Sequence, residues 1–558
     1  MAEVSFKKIG ELLIERGLIT QSQLNEALAE QRASGGKLGE VLIKKGWLSS
    51  EELERGLATQ RGISVFNLSG YLIEPEMVKL IPEDFARKYK LMPVFMIENT
   101  LTVAMADPNN VFIIDEIQRM TRLNVEPVLA EDLEIRKIQD LYYGPTGNLQ
   151  EIIAGIDKEK LAEGEQLGEE APIIKIVNYL IIQAVQTKAS DIHVEPEEKF
   201  LNVRYRVDGM LHRQPTLPKD LAAAITSRFK IMAGLDIAEK RLPQDGRIMM
   251  KMGSKDIDFR VSTCPTVHGE NVVLRILDRS GLVLGLESLG FPPATMTLFK
   301  ELIAAPYGIF LVTGPTGSGK TTTLYSALQI LNREDVNIMT VEDPVEYQFP
   351  GMRQVHVNPV AGLTFSSALR SFLRQDPNII MVGEIRDLET AEIAIQAALT
   401  GHLVFSTLHT NDSASAFTRL MNMGVEPFLV SSSLLGVLAQ RLLRKICDKC
   451  KEFYLPTDSV LKNIGLEDKI GQNIKLCKGK GCKVCSQSGY KGRTGIYELL
   501  KVVPEIQEAI LKKSSADEIR AIAVKNGMVT LRQAALEKLL TGVTTAEEVL
   551  RVTLETAG

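Results

Sequence analysis

FLVTGPTGSGKTTTL, residues 310–324, is the stretch that decides the fold of this chain. Within it Gly314, Gly319, Lys320 and Thr321 meet the pattern G-x-x-x-x-G-K-[ST] without departure. The apolar run Ile309 to Val312 predicts a buried strand, and Thr321 to Leu331, with Leu324, Leu328 and Leu331 at helical spacing, predicts the helix after it. Strand, glycine loop and helix is the context the motif needs, which weighs against a glycine-rich turn matching by chance. Across Gly314, Pro315, Thr316, Gly317, Ser318, Gly319, Lys320, Thr321 and Thr322 the backbone is expected to curl so that its N–H groups face phosphate oxygens. The helix N-terminus adds partial positive charge. Lys320 is expected to reach the β- and γ-phosphates of ATP, and Thr321 to place its hydroxyl on Mg2+.

The whole chain sets wider bounds. Its 558 residues predict three or four domains of about 150 residues each. With 45% apolar and 24% charged residues it reads as ordinary globular protein, and a net charge of -5 gives no global reason to bind nucleic acid. The opening MAEVSFKKIGELL lacks a signal peptide's apolar core, and no run approaches roughly 18 uncharged apolar residues. A cytoplasmic protein without direct membrane insertion is expected, any membrane role coming through partners.

Taken from its start, the chain repeats itself. Lys8, Gly10, Leu13, Gly17, Leu24, Leu28 and Gln31 recur as Lys37, Gly39, Leu42, Gly46, Leu53, Leu57 and Gln60. Each copy predicts a short helix, a glycine stop and a second helix opened by a capping box, Thr20 with Gln23 and Ser49 with Glu52. The repeat, 8–31 and 37–60, resembles the paired motif of the MshEN domain, which binds cyclic di-GMP in some secretion and pilus ATPases. The family's motif begins Arg-Leu-Gly. Here the matching positions are Lys8, Ile9 and Gly10 with Leu13, and Lys37, Leu38 and Gly39 with Leu42. Lysine keeps the charge but lacks the planar guanidinium fork. Two readings stand: a cyclic di-GMP site, or a packing and partner-docking module.

Residues 65–143, with a strand at 99–105, predict a small α+β unit that completes a front domain over 1–145. The charged, glycine-punctuated stretch 146–170 reads as a linker and hinge. A second domain is expected over 171–288, opening with an amphipathic helix at 173–186. Its segment LNVRYRVDG alternates Val203, Tyr205 and Val207 with Arg204 and Arg206, placing both arginines on one strand face. Solvated charge is the plain reading of that face. An arginine lent to a triphosphate's transition state is the functional one.

Beyond the phosphate loop, strands predicted at 337–341, 378–382 and 402–406 deliver Glu342, Asp343 and Glu346, then Gly383, Glu384 and Arg386, then His409. Apolar strands alternating with helices, each ending in polar chemistry, describe a parallel sheet with its site at the strands' carboxyl ends.

The series GPTGSGKTTTLY, VEDPVEYQ, LRQDPNIIMVGEIRD and TGHLVFSTLHTNDS resembles the secretion ATPase superfamily in its type II secretion and type IV pilus assembly branch. SDIHVEP and KRLPQDGRI match the domain before the motor in that family. The resemblance implies a multidomain α/β chain: a RecA-like P-loop ATPase motor over 289–558, a PAS-like α+β domain before it, and a helical-repeat/α+β N-terminal domain. It implies Walker A at Gly314 to Thr321, an Asp box at Glu342 to Glu346, a Walker B ending at Gly383 and Glu384, and a His box with His402 and His409. It also implies a homohexamer working on an inner-membrane platform protein, with arginines of the second domain reaching nucleotide; Arg204, Arg206 and Arg228 are the candidates. Lys320, Glu342, Glu346, Glu384 and His409 form the expected catalytic set, Glu346 orienting water and Glu384 on the magnesium side with Thr321. A cytoplasmic docking protein for the front domain fits the same picture. The type II secretion motor and a messenger-responsive nucleotide switch are the rival readings.

Five of the six cysteines lie after residue 446. Cys447-x-x-Cys450 and Cys482-x-x-Cys485 have the spacing of two knuckles that together give a structural zinc four thiolates, in a subdomain at about 445–495. In the family, assembly motors commonly carry this element and retraction motors lack it, so the resemblance favours extension.

Overall fold

The computed structural model describes residues 9–15, 17–34, 37–48, 63–68, 70–143, 153, 171–278 and 285–554. Lys8, the second helix of the second repeat with Ser49 and Glu52, and the expected linker all lie outside them, apart from Ile153. By contacts the chain divides into two units, residues 1–280 and 281–558.

In the first unit the repeat is visible in its hydrogen bonds. Gly17 at φ 71° closes the helix Ile9–Glu15, and Leu18 N–H returns to Leu13 O at 3.0 Å. Gly46 at φ 68° closes Leu38–Lys44, and Trp47 N–H returns to Leu42 O at 3.1 Å. These positive φ values need glycine because a Cβ is strained there. The Thr20 box forms as expected: Thr20 N–H donates to Gln23 Oε1 and Gln23 N–H to Thr20 Oγ1. Leu13 and Leu42 are fully buried in one core with Ile19, Leu24 and Ala27. Gly10 is explained by packing too, since a Cβ there would lie 2.6 Å from Leu24 Cδ1.

The α+β part has strands Leu91–Ile97 and Thr100–Met105 antiparallel, and Asn124–Leu129 parallel to the latter through the helix Val111–Thr121. It is joined to the rest of the first unit by strand pairing. Tyr71–Leu72 pairs in parallel with Lys251 and Met252 at the edge of an eight-stranded, otherwise antiparallel sheet, and Leu72 is buried in that sheet's core. A two-residue strand carries too little pattern to be read from sequence. The helices Ala171–Gln186 and Ala222–Ala233 supply the rest of this core.

The second unit holds a seven-stranded sheet. Its strands are β1 (Gly308–Thr313), β2 (Ile338–Glu342), β3 (Met352–His356), β4 (Ile379–Val382), β5 (Leu403–Leu408), β6 (Leu434–Ile446) and β7 (Tyr490–Lys501). They run in the order β3-β2-β4-β5-β1-β6-β7, parallel except for the β6–β7 pair. Residues of β1, β2, β4 and β5 are buried throughout, as expected of strands covered on both faces. That register brings the carboxyl ends of β1, β2, β4 and β5 together.

Candidate active site

β1 runs straight into the phosphate loop, and the helix Lys320–Leu331 starts from Gly319 held at φ 89°. Free N–H groups in the helix's first turn and its dipole make this end a site for anions. The loop is walled by β6. A Cβ on Gly314 would lie 2.5 Å from Gln440 O, and one on Gly319 2.8 Å from Gln440 Nε2. Gln440 Nε2 donates to Ser318 O at 2.9 Å, while Gln440 Oε1 accepts from Thr323 Oγ1 at 2.7 Å. One buried amide thus ties the loop to the helix it opens. Pro315, Thr316, Gly317 and Thr321 are exposed. The cradle therefore fits a phosphate chain, and the open Thr321 hydroxyl fits Mg2+.

Lys320 Nζ donates to Gly314 O at 2.8 Å and Pro315 O at 3.2 Å, which holds the ammonium within the loop. Burial, reinforced by the Arg441 charge and opposed by Glu384, brings its pKa down to about 8. Arg441 itself is buried and donates to Asn411 O at 2.7 Å. Neither Gln440 nor Arg441 belongs to the expected site. Their signal in the sequence is a polar pair inside the apolar run LLGVLAQRLL, residues 434–443.

The acids divide. Glu342 is buried, and its oxygens accept from Thr340 Oγ1 (2.6 Å), Gln354 Nε2 (3.2 Å) and the Tyr325 hydroxyl. Burial raises its pKa despite these bonds. Through the Tyr325 bond Glu342 ties β2 to the phosphate-loop helix. Glu346 is half-buried in the segment after β2. Glu384 follows β4, with Oε1 at 2.5 Å from Arg386 and Oε2 at 3.2 Å from His409 Nε2. Burial would raise its pKa, but Arg386 first and His409 second outweigh this and hold it below the usual carboxylate value. Thr407 Oγ1 donates to Gly383 O at 2.7 Å, fixing the turn from which Glu384 projects.

A second lock joins β1 to the segment after β5. Thr410 N–H donates to Thr313 Oγ1 at 2.9 Å, and the two hydroxyls lie 2.6 Å apart. His409 is thereby held at the carboxyl end of β5. His402 is at the other end of that strand, about 20 Å away by strand rise, with Nδ1 2.9 Å from Ala397 O. It finishes the preceding helix, and the structure does not bring the two histidines together.

Of the arginines, Arg204 makes a two-pronged pair with Glu195 at 2.7 and 2.6 Å. Arg206 donates to Gly209 O at 3.1 Å and lies 3.5 Å from Asp191. Arg228 is half-buried on Ala222–Ala233.

The sulfurs of Cys447, Cys450, Cys482 and Cys485 all lie within 4.8 Å of one another, and none forms a disulfide. Three of their separations are 3.9, 3.8 and 3.6 Å. Thiolates about 2.3 Å from a tetrahedral metal stand about 3.8 Å apart. The donor set therefore fits a four-coordinate, thiolate-bound metal ion. Cys477 is buried outside the cluster, and Cys264, on the strand Lys255–Thr266, is exposed.

The sequence profile of the type II/IV secretion system proteins matches residues 166–551. The chain belongs to that family. As a type II/IV secretion system protein it is an ATPase. The MshEN domain profile matches residues 61–149, after the repeat. The type IV pilus assembly ATPase PilB of Myxococcus xanthus is 46% identical over 97% of this chain and 98% of its own length. The type II secretion system protein E of Xanthomonas campestris is 46% identical over 84% of each. Among solved structures, the Yersinia pseudotuberculosis ATPase DotB has a TM-score of 0.51 at 21% identity, covering 68% of this chain and 93% of its own. That likeness supports the fold alone. Among the described residues no helix is long and apolar enough to cross a membrane.

Proposed function

We propose that the chain is the ATP-driven motor of type IV pilus assembly, a cytoplasmic homohexamer that drives pilin extraction and fibre extension through an inner-membrane platform protein. The observation that carries this is the convergence of the phosphate loop, Glu384 and His409 at adjoining strand ends, locked through Thr313 and Thr410. Likeness to a pilus assembly ATPase along almost the whole of both chains favours this over type II secretion.

In this reading Lys320 and the loop N–H groups hold the β- and γ-phosphates, and Glu346 orients the attacking water. Mg2+, on the side of Thr321 and Glu384, neutralises phosphate charge. His409 and Arg386 hold the Glu384 carboxylate ionised and in place. Arg204, Arg206 and Arg228 are the candidate arginines from the second domain; Arg204 would have to leave Glu195 to serve. The four-cysteine cluster holds structural zinc. The division into front domain, linker, second domain and motor is part of the same proposal. Cyclic di-GMP regulation through Lys8, Lys37 and their neighbours, and a docking protein for the front domain, are its regulatory side.

Hydrolysis by wild type and Glu346→Gln, with and without cyclic di-GMP, alongside the mass of the assembly, tests it. A hexamer that turns over ATP and is silenced by the substitution supports the motor. Unchanged turnover in Glu346→Gln overturns that residue's role. Indifference to cyclic di-GMP makes the repeat a docking module.

A further inference from the structure

Within the first unit, the α+β part and the helix Ala171–Gln186 line a half-open cavity of about 310 Å³. That is in the size range of sites for small organic molecules. The helix contributes Lys175, Asn178, Tyr179 and Ile182, spaced so that they share one face. Val78 and Ile81, both buried, form the opposite apolar wall. The phenols of Tyr142 and Tyr143 are spoken for: Tyr142 Oη accepts from Ile73 N–H at 3.1 Å, and Tyr143 Oη donates to Ile81 O at 3.0 Å. They offer the cavity mainly ring surface.

Two polar groups on that helix face are not spoken for. Asn178 is only 8% exposed, and its side-chain amide, which borders the cavity, makes no hydrogen bond with any described residue. One turn away, half-buried Lys175 has no ion-pair partner among the described residues. The acids nearest to it are engaged elsewhere, because Arg87 holds Glu83 at 2.8 Å and Asp140 at 2.7 Å. Burial pulls the Lys175 ammonium below the ordinary lysine pKa, with Arg87 adding to that and the charges of Asp140 and Glu83 opposing it.

We propose that this cavity binds a small organic monoanion with a flat aromatic or heteroaromatic body. The ring packs between Val78 and Ile182, the anionic group meets Lys175, and a polar ring atom pairs with Asn178. One unpaired ammonium with Glu83 on the rim favours a single negative charge. A cyclic dinucleotide carries two phosphates, one more negative charge than a single ammonium here matches, and none of the lining residues belongs to the repeat or to the phosphate loop. Because its walls come from both the front part and the second domain's first helix, an occupant stiffens their joint.

The test uses the full chain with indole-3-carboxylate as probe and indole-3-carboxamide as its neutral counterpart, followed by calorimetry and ligand-observed NMR. One saturable carboxylate site per chain is expected, at least tenfold tighter than the carboxamide and not displaced by ATP or cyclic di-GMP. Lys175→Met should erase that preference, weakening the carboxylate about tenfold and leaving the carboxamide unchanged. Val78→Trp, which fills the space, should abolish both. Asn178→Leu should raise the melting temperature of the ligand-free chain and weaken the probe. Absence of saturable binding, equal affinity for the two probes in wild type, displacement by ATP, or binding untouched by Val78→Trp would each overturn the proposal. The wild-type comparison stands even where a variant fails to fold.

Discussion

Replacing Gln440 by leucine removes the side chain that joins the phosphate loop to its helix while nearly keeping its volume. Gln440 is 2% exposed, donates to Ser318 O and accepts from Thr323 Oγ1. The Thr323 hydroxyl sits in a helix and can turn back to a carbonyl four residues earlier, recovering much of its loss. Ser318 O has no such substitute in the wall facing β6. A buried carbonyl left unmet costs about 1–3 kcal/mol. The loop can relieve that only by rotating the Ser318–Gly319 peptide, which turns an N–H away from the phosphates. With the middle of that range, about 2 kcal/mol, appearing in binding, nucleotide affinity should fall about 30-fold. Titration with a fluorescent ADP analogue measures it, and urea unfolding of the same samples separates a loop defect from a general loss of stability. Affinity within threefold of wild type, at unchanged stability, would refute the argument that Gln440 shapes the loop.

The Lys320 pKa of about 8 makes nucleotide binding sensitive to alkali. The free site loses its ammonium as pH rises through 8, whereas bound phosphate holds it protonated, so ADP affinity should weaken about tenfold from pH 7 to 9. The sign for folding is opposite: between about 8 and the ordinary lysine value the unfolded chain binds the extra proton, so this group's contribution to stability rises with pH. Proton uptake on binding, measured by calorimetry in two buffers at pH 8.5, checks the first statement; none would defeat it. For the cysteine cluster, the purified reduced chain should carry close to one zinc. Removal by a strong chelator, or Cys450→Ser, should unprotect the hairpin Lys451–Tyr454 and Leu476–Gly479 in hydrogen exchange while sparing β1. Equal protection with and without metal would show that the cluster holds nothing together.

Much of the site was legible because its chemistry is local. Gly314 to Thr321 must be contiguous for one turn of backbone to wrap a phosphate chain, so a linear pattern captures it. Glu384 and His409 were legible from another regularity, polar residues placed where apolar strands end. The paired cysteines follow from the short reach of a knuckle. The capping box at Thr20 and the glycine stops at 17 and 46 are also local, and they form as the sequence implies.

The features that stayed hidden in the sequence depend on partners far apart in the chain. Glu342 and Glu346 look alike as acids in VEDPVE, yet Tyr325, Thr340 and Gln354 fill the oxygens of the first. His402 and His409 belong to one motif, yet the strand between them sends them to opposite ends of the sheet. Gln440 reaches Ser318 across 122 positions, and Leu72 enters a sheet whose nearest strand begins at Gln244. The order of residues alone settles which types stand where strands end, and with them the nucleotide chemistry. Which of those groups are used up holding the site in shape is settled only once the chain has folded. A side chain's hydrogen-bonding capacity goes to whatever folding brings beside it, and that neighbour is rarely near in sequence.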